Sequence, residues 1–180
     1  MKVIMLLALA VAFIGVADAE EKSVDQQISE ALMPLPEDLR AGAAVIGYNA
    51  ESEEILLRRG STDFTCTADS PAAGFFVSCF PNIIAEYRAR SAELVAAGTT
   101  GDEYRDIVSA EIEAGKLRIP DGSVIYYLSG SNLDSALPLM TIYLPGATAK
   151  STGLSTMPNP FRPWLMFAGT PAAHIMVPGK

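Results

Sequence analysis

The chain has 180 residues, 49% hydrophobic and 19% charged, and a formal net charge of −8. With no basic cluster to displace counterions from phosphates, neither nucleic acid nor an anionic membrane surface is an expected partner. A chain of this length predicts one domain with a core that does not depend on disulfides.

Residues 1–19 read as a signal peptide. Lys2 precedes an apolar run from Val3 to Val16, and Ala17-Asp18-Ala19 carries the small-x-small pattern of a cut after Ala19. That run is shorter than the roughly 18 to 20 residues of a membrane span, and nothing later approaches that length. No Cys follows the cut, so no lipid anchor is expected there. The expectation is a soluble exported protein, periplasmic or secreted. In such an oxidising compartment Cys66 and Cys79, the only two cysteines, pair most simply with each other, the other reading being two buried thiols.

Residues 20–34 are polar, with a weak helical signal at Ile28 and Leu32 just before Pro34 and Pro36. They read as a loosely attached N-terminal segment ahead of a single α+β domain over 35–180. Leu35 to Arg40 has a proline and two acids where a short helix would begin. Ala43 to Tyr48 and Ile55 to Arg59 flank a polar turn, which is a hairpin signal. Around Phe64 and Cys66 apolar and polar residues alternate as in a half-buried strand. Phe75 to Phe80 forms the next strand, which the disulfide would staple to the previous one.

From Pro81 a helical pattern places Ile84, Tyr87 and Leu94 on one face and stops at Gly98. Thr100 with Glu103 has the signature of a capping box, followed by a stripe of Tyr104, Ile107, Val108 and Ile112 that stops at Gly115. Two consecutive amphipathic helices are therefore expected, with solvated acidic outer faces. Ile119-Pro120-Asp121-Gly122 reads as a type I turn. Strands follow at Val124 to Leu128 and Leu137 to Leu144, and a long, irregular connection runs from Ala147 to Pro163. The order of elements predicts an α+β fold with a mainly antiparallel sheet.

From Ser123 onward the only charged side chains are Asp134, Lys150, Arg162 and Lys180. Within this stretch lies Pro-Trp-Leu-Met-Phe-Ala-Gly-Thr-Pro-Ala-Ala-His-Ile-Met, over residues 163–176. Trp164 to Phe167 reads as a strand buried on both faces, with Trp164 as a core anchor, and Ala172 to Val177 as a second strand. Trp164 and His174 are the candidate ligand-binding residues.

No nucleophile elbow and no phosphate loop is present, and the carboxylates at Glu37, Asp38, Glu53, Glu54, Asp102, Glu103 and Asp106 sit in solvated runs with no distinguishing pair. His174 is the one ionisable group in an apolar setting, where the neutral ring is favoured. In a strand His174 and Met176 share a face. With Met166, Met157 or Met140 as a third donor they would suit Cu(I). A lone His on an apolar strand is more often a satisfied core residue, and no bound cofactor is expected.

The closing motif, with Pro36-Glu37-Asp38-Leu39-Arg40-Ala41-Gly42-Ala43, Leu57-Arg58-Arg59-Gly60 and the two cysteines, resembles a family of uncharacterised exported bacterial proteins ending in P-W-x-M-x-x-G-T-P-x-A-H-x-M. The resemblance implies export and one shared domain, and assigns no catalytic residue. The leading expectation is a non-catalytic binding or envelope-associated module, partnered by a small molecule or an envelope protein. The alternatives are a periplasmic copper-handling protein using His174 and Met176, and a hydrolase or isomerase with an acid–base site not located in the sequence.

Overall fold

A computed structural model describes residues 22–71 and 74–179. The sequence expectations for 1–19 lie outside these residues. Among the described residues no helix is long and apolar enough to cross a membrane.

Among the described residues eight strands form one sheet: β1 (Ala44–Tyr48), β2 (Glu54–Arg58), β3 (Phe64–Thr67), β4 (Phe75–Pro81), β5 (Val124–Gly130), β6 (Leu137–Tyr143), β7 (Trp164–Met166) and β8 (His174–Pro178). Their order is β2-β1-β3-β4-β5-β6-β8-β7. Every pairing is antiparallel except β1 with β3, so the sheet is mixed and mostly antiparallel, within an α+β fold. The expected hairpin is β1 and β2.

The helices are α1 (Val24–Ala31), α2 (Glu37–Arg40), α3 (Ala85–Ala96), α4 (Gly101–Glu113) and α5 (Ala149–Thr152). Side chains alternate across a strand, so the sheet has two distinct faces. Against one of them α1 and the turn after it pack Ala31, Leu32 and Leu35 onto Val45, Cys66 and Cys79. Against the other, α3, the 3-10 turn that leads into it and α4 pack Ile84, Tyr87, Leu94 and Val108 onto Phe80, Ile125 and Tyr143.

The described part of the N-terminal segment is therefore not loosely attached. Ala31 is fully buried. The Gln27 side chain behaves like an added strand residue, accepting from Tyr48 N at 2.8 Å and donating to Tyr48 O at 3.0 Å. Its helix starts at a capping box in which Ser23 and Gln26 bond reciprocally.

The two resemblance segments, one ahead of β1 and one running out of the end of β2, also meet. Arg58 donates to Arg40 O at 2.6 Å and to Ala43 O. A Cβ on Gly60 would sit 2.6 Å from Ala44 N, so this crossing requires glycine.

Cys66 and Cys79 face each other across β3 and β4 and form a disulfide. Three local expectations change. Thr100 occupies the cap of α4 without a side-chain cap bond, and the residue after it, Gly101, has a left-handed backbone at φ 60°. The turn near Pro120 closes one residue later, with Ser123 N donating to Pro120 O, and Gly122 at φ 77° gives it a type II rather than type I backbone. Trp164–Met166 is an edge strand and not one buried on both faces. Only Leu165 is buried, and Phe167 leaves the strand at φ 54°.

Candidate functional site

Between the helix pair and the sheet lies a pocket of about 420 Å³, within the range of small-molecule sites. Its walls follow from the register. Phe76 on β4, Tyr127 and Ser129 on β5, Leu139, Thr141 and Tyr143 on β6, and His174 and Met176 on β8 all alternate onto the face that α3 and α4 cover. Met166 joins them as the direct partner of His174 across β7 and β8. From the helices come Tyr87, Arg88, Ser91 and Val95, spaced to share one side of α3, and Tyr104 of α4.

The pocket is graded. At its inner end His174 is only 5% exposed and Tyr143 is buried, whereas Phe76 and Val95 at the other end are 48% and 60% exposed. Partly exposed apolar side chains at a mouth lower the cost of admitting an apolar molecule.

A chain of hydroxyls crosses the inner wall. Tyr143 donates to Tyr87 at 2.9 Å, and Tyr104 lies 3.2 Å from Tyr87 and 2.8 Å from Ser91. Four hydroxyl hydrogens serve three bonds, which leaves one O–H unspent on the chain. Burial pushes the Tyr87 and Tyr143 phenols well above their ordinary range, so both stay protonated and act as donors.

His174 Nδ1 lies 2.8 Å from Ala172 O. A carbonyl only accepts, so that nitrogen carries the proton and Nε2 of the neutral ring keeps a lone pair. Burial lowers the affinity of the ring for a second proton, and the Ala172 carbonyl opposes the shift. The ring is fixed by Tyr143 at 5.0 Å and by an edge-on contact with Phe167 at 5.4 Å. Phe167 holds a left-handed backbone uncommon for a bulky residue, tied by Thr170 N and Oγ1, both donating to its carbonyl.

Arg88 is the one charged residue among those lining the pocket. Its guanidinium lies over Phe80 at 5.5 Å and Tyr127 at 5.8 Å. It reaches Ser78 Oγ at 3.4 Å, while Nε is buried and makes no hydrogen bond among the described residues.

The residues singled out in the sequence thus separate. His174, Met176 and Met166 share the pocket, and Met176 Sδ accepts a bond from Thr141 at 3.5 Å. Trp164 does not line it and is only half buried. Met140 points to the opposite face of β6, and Met157 is 74% exposed on the loop before β7. Among the described residues no Asp or Glu lines the pocket. Tyr87 and Tyr104 were not legible as a site, because on α3 and α4 they carry the ordinary spacing of a core-facing stripe, and Arg88 reads as a solvated helix position.

Compared with family models, curated proteins and solved structures, the chain matches none.

Proposed function

We propose that this chain is an exported, non-catalytic binding module, a single α+β domain that holds a small molecule with an apolar body in the pocket between the sheet and the α3–α4 pair. One observation carries the reading: the pocket is open at an apolar mouth and lined by aromatic and methionine side chains, with convergent polar groups at Arg88, Ser91, Tyr104 and His174. Work in the periplasm or outside the cell rests on the leader-like sequence of 1–19, the resemblance to exported bacterial proteins and the Cys66–Cys79 bridge.

Titration with the uncharged dye Nile red tests the reading. The dye should brighten on the folded wild type, be displaced by decanol, and fail to brighten on Ser91→Trp, whose indole would fill the pocket from α3. A Ser91→Trp protein that folds as the wild type does and still brightens the dye equally would contradict it.

Copper handling is a second reading of the same pocket, favoured by the shared wall of His174, with its free Nε2 lone pair, Met166 and Met176. Added Cu(I) would then raise the melting temperature of the wild type and not that of His174→Ala or Met176→Ala. No rise in the wild type removes this reading.

A further inference from the structure

Arg88 is ill matched to its surroundings. Its guanidinium offers five N–H donors. The described residues supply one hydrogen bond to it, the 3.4 Å contact with Ser78, and no carboxylate within ion-pair distance. This occurs in a chain with 21 acidic residues against 13 basic ones, in which Arg90 and Arg105 on the neighbouring surface do pair with acids. A partly desolvated cation without an anion costs stability, and stacking over two rings offsets only part of that cost.

The pocket also has a direction. Arg88 stands over β4 and β5, next to Ser91. Across three strand spacings, about 14 Å at the usual separation, the wall at β8, β7 and the turn after β7 consists of Met176, Met166, Phe167 and the neutral ring of His174. One end offers a planar fork of donors and a serine hydroxyl, and the other offers thioethers, a phenyl ring and an uncharged imidazole that brings no cationic donor. Carboxylate geometry matches such a fork, and among the described residues no acidic side chain competes for it.

Resting on the pocket reading above, we propose that the ligand is an apolar monoanion: one carboxylate group pairs with the Arg88 guanidinium beside Ser91, and a hydrocarbon body extends across the sheet towards Met176 and Met166. The anion satisfies donors that the fold leaves without an acceptor, and the hydrocarbon covers the apolar wall.

Displacement of Nile red by decanoate and by decanol, at neutral pH where a simple carboxylate is ionised, separates this proposal from the reading beneath it. A charge-assisted pair predicts that the wild type binds decanoate at least about tenfold more tightly than decanol. Arg88→Met, which keeps the stem over Phe80 and Tyr127, should lose that preference and bind decanoate no more tightly than decanol. Arg88→Lys, with a point charge in place of the fork, should keep part of it. Equal affinity of the wild type for the two probes, or a bound dye that decanoate cannot displace, overturns the anion proposal and leaves the pocket reading standing. A wild type that binds neither dye nor probe overturns both. The comparison of the two probes on the wild type does not depend on any variant folding.

Discussion

The two faces of the sheet are finished by different means. Under α1 the contact is made by Ala31, Leu32 and Leu35 against Val45, Cys66 and Cys79, with the disulfide in the middle and the one buried amide, Gln27, bonded to both backbone groups of Tyr48. Under α3 and α4 an apolar wall is broken by four linked hydroxyls, a buried imidazole and a guanidinium whose Nε has no acceptor among the described residues. Polar groups in an apolar setting cost free energy unless they are satisfied. On the first face the Gln27 amide is satisfied within the chain; on the side of α3 and α4, Arg88 Nε and Ser109 Oγ are buried without a partner among the described residues. The contrast separates a face that holds the fold together from one arranged to receive something.

Substitutions on the two faces should therefore differ in kind. Replacing both Cys66 and Cys79 by Ala should lower unfolding stability by about 3 kcal/mol, from the loop the bridge closes, and leave dye binding unchanged once the protein is folded. Thiol titration of the denatured, unreduced wild type should find no free thiol; two would remove the bridge from the account. Next in size is Trp164→Ala. A buried Trp would cost about 3 to 5 kcal/mol, but the half-buried position on edge strand β7 predicts a loss nearer 1 to 2 kcal/mol, measurable by urea unfolding.

Tyr143→Phe keeps the ring against Tyr87 and His174 and removes one hydroxyl. Its cost should be about 1 kcal/mol, accompanied by a change in probe affinity that the cysteine variant does not show. The smallest effect is on pH dependence. Because burial holds the His174 pKa below its ordinary value, the unfolded chain takes the proton first. Stability is whole above the unfolded value of about 6.5 and declines as pH falls through it towards the folded value. As His174 is the only histidine, His174→Gln should flatten the melting temperature across this range, above the carboxylate titrations. An unchanged slope would place the ring in water.

Much of the sheet was legible because alternation and turn residues mark strands locally. The hairpin of β1 and β2, the strands around Cys66 and Cys79 and the helix stops at Gly98 and Gly115 follow from such patterns. What depends on distant neighbours was not legible. An apolar run such as Trp164–Phe167 looks the same in the middle of a sheet and at its edge, and only the strand order decides. The Ser23-x-x-Gln26 box was readable but outweighed by the polarity of its segment, since a burying stripe of Gln27 and Ala31 carries little hydrophobic signal. In the site, His174 and Met176 stood out by composition. Arg88 did not, because an arginine on a helix is ordinarily solvated, and its position over Phe80 and Tyr127 requires β4 and β5 to be in place.

Because the single histidine lies at the inner end of the pocket and the single tryptophan lies outside it, one titration locates the ligand. The ring proton resonances of His174 should shift as decanoate is added to the wild type, in step with dye displacement, while those of Trp164 stay in place. Dye displacement with the His174 resonances unmoved would put the bound molecule elsewhere on the protein and contradict the account.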